Sequence, residues 1–327
     1  VKLFGHDAAV AAFLDAMRAG RLHHAWLLAG PQGVGKGLFA GMAALRLLAE
    51  GQGALDTHSL GVPEDHPAAK LIRAGSHPDF MRLERLYREK TDDRARNISI
   101  DQVRGLQRLF ATTGSFSSRR AVVIDAVDDM ERGAANALLK NLEEPPPDAV
   151  FLLVSHAPGR LLPTIRSRCR LLRFGPLDDD AMAAALRQAM PEMDEREIEA
   201  LVRIGEGSPG TALRFAGLDV GALDDAMDRL IANGDPTNAA RSALARSLSL
   251  KSAQARYEAF LERAPARIAA HARGASGQML AETIAAWEQA RTIAESAVRL
   301  SADPQTTVFE LAGLMARLAP KDMTAKA

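Results

Sequence analysis

Residues Gly30 to Gly37 read GPQGVGKG and follow the phosphate-loop pattern G-x-x-x-x-G-K-[ST] up to its last position. The backbone amides of such a loop, with the start of the next helix, cradle phosphates, and the lysine reaches the terminal ones. Gly30, Gly33, Gly35, Lys36 and Gly37 are therefore the candidate nucleotide-binding residues for ATP or ADP. The pattern wants a hydroxyl at its end to bind magnesium, and Gly37 has no side chain to offer. A second stretch, AVVIDAVDDM, ends an apolar run in Asp125, the usual place for the acid that holds the magnesium shell. The next position, where a glutamate would orient or deprotonate water, is Ala126. Loss of a general base costs on the order of a hundredfold to ten-thousandfold. Asp128 and Asp129 read as the acidic start of a helix, favourable to its dipole, not as replacements. A third stretch is Ser167-Arg168-Cys169. The forked, permanently charged guanidinium of Arg168 suits stabilisation of a transferring phosphoryl group, including one on a neighbouring subunit. Taken alone, such an arginine is an ordinary surface or ion-pair residue. No metal ligand set is expected.

These residues need a strand, a loop and a helix to position them. HHAWLLAG supplies a short buried strand, and LFAGMAALRLLAE an Ala/Leu-rich helix beyond the loop. Before it, residues 7–19 carry Val10, Phe13, Leu14 and Met17 at helical spacing, with Asp7 as the expected N-cap. DFMRLER, AVVID and AVFLLVSH read as further strands. SIDQVRGLQRLF reads as a helix with Ser99 and Gln102 as a capping box, and GAANALLKNLEEPPP as a helix stopped by prolines. LLPTIRSRCRLLRF predicts a turn, a short helix and a last strand. Residues 50–77 read as an irregular insertion, and YREKTDDRARN as a charged loop. Apolar strands alternating with helices predict a parallel sheet covered on both faces. After Gly175 the strands stop: a small helical module precedes an all-helical remainder, in which Leu280, Ile284, Trp287, Ala294 and Val298 form one broad face.

The totals bound the function classes. A chain of 327 residues suggests two or three domains. Lys+Arg and Asp+Glu are both 41, so no global charge pulls the chain toward DNA or anionic lipid. The local basic clusters RSRCRLLR and Arg119-Arg120 lack interleaved aromatics, which are 5% of residues, so direct nucleic-acid binding is the weaker reading. One cysteine, Cys169, excludes an intrachain disulfide and fits a reducing compartment. No apolar run reaches the roughly 18 residues of a membrane span. The N-terminal stretch does not read as a signal peptide, and a cytoplasmic location is expected.

LHHAWLLAGPQGVGKG, SIDQVRGLQ, NALLKNLEEPP, FLLVSHAPGRLLPTIRSRC and GEGSPGTAL, in order across residues 3–215, resemble the AAA+ subunits of bacterial clamp loaders. The resemblance implies an α/β AAA+ phosphate-loop domain over 1–175, a helical lid over 176–219 and an all-α collar over 220–327. Within that family it implies the delta prime branch, a stator with a degenerate ATP site, over the gamma/tau ATPase motor. The motor keeps Thr where this chain has Gly37, Glu where it has Ala126, and a lid arginine where it has about Gly210. The retained SRC implies that Arg168 acts in trans on a neighbour's ATP. Implied partners are the gamma/tau and delta subunits, with the sliding clamp and primer-template DNA reached through the assembly. The alternative is an active gamma/tau-like motor. The family often carries a four-cysteine zinc module after the loop helix. Here only His58, Asp65, His66, His77 and Asp79 are present, irregularly spaced and without thiolates, so zinc is not expected.

Overall fold

The computed structural model describes residues 2–55, 59–88, 93–111 and 116–320. Helix α1 (Asp7–Arg18) buries Phe13, Leu14 and Met17 on one face. Its N-cap is His6, with Asp7 already in the first turn, so the expected cap is one residue out. Strand β1 (Ala25–Ala29) is buried throughout and feeds the glycine loop and α2 (Lys36–Glu50). The stretch 50–77 is not wholly irregular: it holds α3 (Pro67–Arg73). Proline at the helix start is pre-set for this role, and the His66 ring accepts from the Ala68 amide at 3.2 Å. His66 is thus spent as a helix cap, while His58 lies outside the described residues.

The chain continues through β2 (Phe80–Glu84), the two-residue strands β3 (Tyr87–Arg88) and β4 (Asp93–Arg94), and α4 (Ile100–Ala111). The charged stretch expected as a loop thus carries a short antiparallel hairpin, β3 with β4. The capping box is reciprocal: the Ser99 amide donates to Gln102 Oε1 at 3.0 Å, and the Gln102 amide to Ser99 Oγ at 3.4 Å. Then follow β5 (Arg120–Asp125), α5 (Arg132–Glu143), β6 (Ala149–Ser155), α6 (Pro163–Ser167) and β7 (Arg170–Arg173). The sheet order is β2-β5-β6-β1-β7, all parallel. Alternate residues face opposite sides. On one side Leu27, Val122, Ile124, Phe151 and Leu153 pack with Val103, Leu106, Leu138 and Leu142 of α4 and α5. On the other, Trp26 and Phe39 meet Phe13 edge-on, and Phe39 meets Phe174. Parallel pairing aligns the strand ends, so the loop after β1, Asp125 and Ser155 all lie at one edge of the sheet.

The chain divides into two compact units, Val1–Leu213 and Arg214–Ala327. The first also takes in α7 (Asp179–Ala189), capped by Asp178, α8 (Glu195–Gly205), capped by Asp194, and most of α9 (Pro209–Phe215). The second is helical: α10 (Val220–Asn233), α11 (Ala239–Leu248), α12 (Gln254–Ala272), α13 (Gly277–Leu300) and α14 (Pro304–Ala316). Arg263 pairs with Asp224 and Arg267 with Asp228, tying α12 to α10. Helix α14 buries Val308, Leu311, Ala312, Leu314 and Met315. Helix α13 departs from its expected face: it buries Thr283, Ala286, Ala290 and Ala297, leaving Ile284 and Val298 exposed. Small side chains let neighbouring helices approach closely, and this stripe outcompetes the bulkier one. Among the described residues, no helix is long and apolar enough to cross a membrane.

Candidate functional site

The glycine loop takes its shape from close approaches. A Cβ at Gly30 would collide with the Phe174 carbonyl, and Gly33 and Gly35 have φ of 79° and 105°, where L side chains are strained. Lys36 opens α2 and is 2% exposed. Its Nζ donates to the Gly30 carbonyl at 2.7 Å and also to that of Pro31. The ammonium therefore turns back onto its own loop. Burial pushes its pKa down to about 8, against the pull of Asp125 and Asp128 in the other direction. His6 Nε2 bonds the Val34 carbonyl at 2.7 Å, and burial lowers this imidazole too.

Ser208 and Gly210, around the start of α9, lie directly on the loop. The Gly210 amide donates to the Gly33 carbonyl at 2.9 Å, and Ser208 Oγ donates to the Gln32 carbonyl at 2.8 Å. A Cβ at Gly33 would collide with Ser208 Oγ, and one at Gly210 would stand 2.7 Å from Gly33 Cα. Two backbones cross here with no space for a side chain on either. That gives a physical reason for the glycine at 210, where a lid arginine would otherwise be sought.

Asp125 closes β5 beside Gly37. Its Oδ2 accepts from Arg82 Nη2 at 2.6 Å, and Arg82 Nε lies 3.8 Å from the Glu84 carboxylate. A Cβ at Gly37 would stand 2.6 Å from the same Oδ2 and 3.6 Å from Arg82 Nη2. Magnesium, which the loop pattern implies, would need a hydroxyl at 37 and an available Asp125 oxygen. The residues as arranged do not fit it: there is no hydroxyl, and a guanidinium sits on the carboxylate. Asp128 and Asp129 open a helix, but it is the single 3-10 turn Val127–Asp129 and not α5, which begins only at Arg132. The Asp128 carboxylate accepts from Ser155 Oγ (2.9 Å), the His156 amide (2.7 Å) and the Ala157 amide (3.1 Å), joining the ends of β5 and β6. Asp129 pairs with Arg85 at 3.2 Å, and burial raises its carboxyl above the usual range. Burial, with Lys36 nearby, lowers the His156 imidazole.

The structure thus brings Gly30, Gly33, Gly35, Lys36, Gly37 and Asp125 together, as the sequence pattern requires. Arg168 has other company. It follows α6, half-buried, with Nη2 on Glu143 at 2.8 Å and Nη1 donating to the Thr164 carbonyl at 3.0 Å. Its neighbour Cys169 is inert in character, its thiol pushed up by burial to about 12. Of the other residues weighed for zinc, Asp79 accepts from the Phe116 and Ser117 amides, and His77 Nδ1 from the Asp79 amide. Among the described residues no group of three or more His, Cys, Asp or Glu could hold a metal ion. Sequence reasoning missed Arg82, Ser208 and Glu143. The first had a signal: an arginine in the middle of the short strand read from DFMRLER, with a helix carrying glycines at 37 and 41.

The family model described as "DNA polymerase III, delta subunit" matches residues 5–178. A Pseudomonas aeruginosa protein, "DNA polymerase III subunit delta'", is 40% identical over 198 residues, covering 60% of this chain and 57% of its own length. An Escherichia coli protein, "DNA polymerase III subunit tau", is 31% identical over 238 residues, 71% of this chain and 33% of its own. The chain thus spans little more than half of the first relative. A solved structure of a "dna polymerase iii, gamma subunit-related protein" from Thermotoga maritima has 17% identity and a TM-score of 0.46, covering 93% of this chain and 99% of that one.

Proposed function

The chain belongs to the DNA polymerase III delta-subunit family, in the delta prime line, and from that membership we propose that it is a non-hydrolysing stator of the clamp loader. One contrast carries the reading. The chain's own phosphate loop is covered by Ser208 and Gly210 and occupied by its own lysine, while Arg168 stands partly open to solvent. A terminal phosphate in such a loop would have to draw the lysine away from the two carbonyls it holds. A forked guanidinium at the surface has one partner it can exchange, the carboxylate of Glu143, for the phosphoryl oxygens of a nucleotide on an adjacent gamma/tau subunit. Such a group would be worth about a thousandfold or more in the neighbour's turnover.

The stator role follows from the same contacts. Hydrogen bonds from Gly210 and Ser208 join the lid helices to the loop, which favours one rigid arrangement over a nucleotide-driven cycle. Partners in this reading are gamma/tau, which receives Arg168, and the delta subunit, which the stator braces. The sliding clamp and primer-template DNA are reached through the assembly. Exposed apolar residues on α13, Ile284, Val298 and Leu300, are available to the helical contacts of a collar.

The test is a reconstitution with the gamma/tau and delta subunits. The lone chain hydrolyses no ATP above background. Arg168→Ala lowers DNA-stimulated ATP turnover at the adjacent site of the assembled loader by about a thousandfold and leaves assembly by gel filtration unchanged. Hydrolysis by the lone chain that disappears in Lys36→Ala would overturn the proposal in favour of an active motor.

A further inference from the structure

Glu84 and Asp125 are register partners at the ends of β2 and β5, two carboxylates facing each other across a parallel pair. Like charges placed so are destabilising. Facing carboxylates at the edge of a nucleotide fold are also what a divalent cation seeks. Here the position between them is taken. Arg82, on β2, reaches Asp125 Oδ2 at 2.6 Å with Nη2 and lies 3.8 Å from Glu84 with Nε. Its side chain runs over α2 at two glycines one helical turn apart. A Cβ at Gly37 would stand 3.6 Å from Nη2, and one at Gly41 would stand 3.9 Å from Nη1. Arg94 adds a second cation to Glu84 at 3.5 Å.

We propose that Arg82 is the resident cation of this site, a guanidinium standing where the fold would otherwise hold magnesium. On this account Gly37 is a steric requirement of the pair and not merely a lost ligand. A side chain at 37 would be driven onto the Asp125 oxygen that Arg82 uses, 2.6 Å from its Cβ. Arginine suits the exchange because its charge is permanent and its fork addresses two carboxylates at once. The inference concerns the chain's own inherited site. Its failure would leave the role of Arg168 untouched, because the test below uses no ATPase and no partner subunit.

The test is Mn²⁺ binding to the lone full-length chain, read by the loss of the free-ion electron paramagnetic resonance signal, with melting curves to establish folding. Arg82→Ala and the closer isostere Arg82→Gln bind Mn²⁺ at least tenfold more tightly than the parent chain. Adding Asp125→Asn removes that gain. Arg82→Lys keeps a cation in place and behaves as the parent. Gly37→Thr with Arg82 retained gains no Mn²⁺ affinity and lowers the melting temperature, whereas the same change beside Arg82→Ala is tolerated. The proposal falls if folded Arg82→Ala and Arg82→Gln bind Mn²⁺ no better than the parent. It also falls if the parent itself binds Mn²⁺ in a manner abolished by Asp125→Asn.

Discussion

Lys36 makes the residue-scale case that a familiar side chain can be redirected by its surroundings. Its ammonium is buried against two loop carbonyls, and its pKa falls to about 8 from an ordinary value of 10.5. The sign follows from proton counting. Between those values the unfolded chain holds the proton and the folded chain releases it, so stability rises with pH. Relative to Lys36→Met, the parent should therefore gain stability as pH rises from about 8 to about 10.5, approaching about 3 kcal/mol at full deprotonation. Urea unfolding at stepped pH values measures this, and parallel curves for the two proteins would refute it. Gly210→Ala forces a Cβ to within 2.7 Å of Gly33 Cα. Overpacking of that kind costs about 1–3 kcal/mol, readable as a lowered urea midpoint. The phosphate loop itself was legible because its chemistry needs local spacing. The Gly33–Gly210 crossing was not, because it joins residues far apart in sequence and each glycine looks unremarkable by itself.

At the scale of elements, the strand ends are bound together more firmly than strand pairing alone requires. Asp128 takes one hydroxyl and two backbone amides from the end of β6. Removing it in Asp128→Ala leaves those donors unsatisfied and should cost about 2–3 kcal/mol, seen as a drop in the thermal midpoint. Asp128→Asn, which keeps acceptor capacity, should lose less. Apolar runs such as AVVID and AVFLLVSH predicted their strands to within a residue, since burial on both faces writes itself into composition. Helix α3 was hidden because its start depends on Pro67 and His66, residues that also suit a loop. The buried stripe of α13 was hidden for another reason. Alanines carry little weight in a hydrophobic pattern, and only the neighbouring helices decide which stripe is covered.

Across the whole molecule, the histidines held neutral by burial fall in one unit. His6, His24, His77 and His156 all lie in the first unit, and burial lowers the pKa of each. The unfolded chain takes up these protons near pH 6.5 while the folded one stays neutral to lower pH. Stability is then lost as pH falls below about 6.5. The chain supplies its own reporters, since Trp26 lies in the first unit and Trp287 in the second. With Trp287→Phe, the remaining fluorescence should show the first unit melting earlier at about pH 5.5 than at pH 7.5. An unchanged melt would contradict the neutral burial of these imidazoles. That strands give way to helices alone was legible at this scale, because strand signals stop after Gly175. The placement of Arg82 between two carboxylates was not, because it depends on how β2 and β5 align.

The arrangement around Gly37 also bears on which side chains the site admits. A hydroxyl placed there meets Asp125, a released Asp125 requires a change at Arg82, and an arginine placed at 210 meets Gly33. Neither position 37 nor position 210 takes a side chain while Asp125 and Gly33 stay where they are. The positions act like a ratchet: Gly33 bars a side chain at 210, and the Arg82–Asp125 pair bars one at 37.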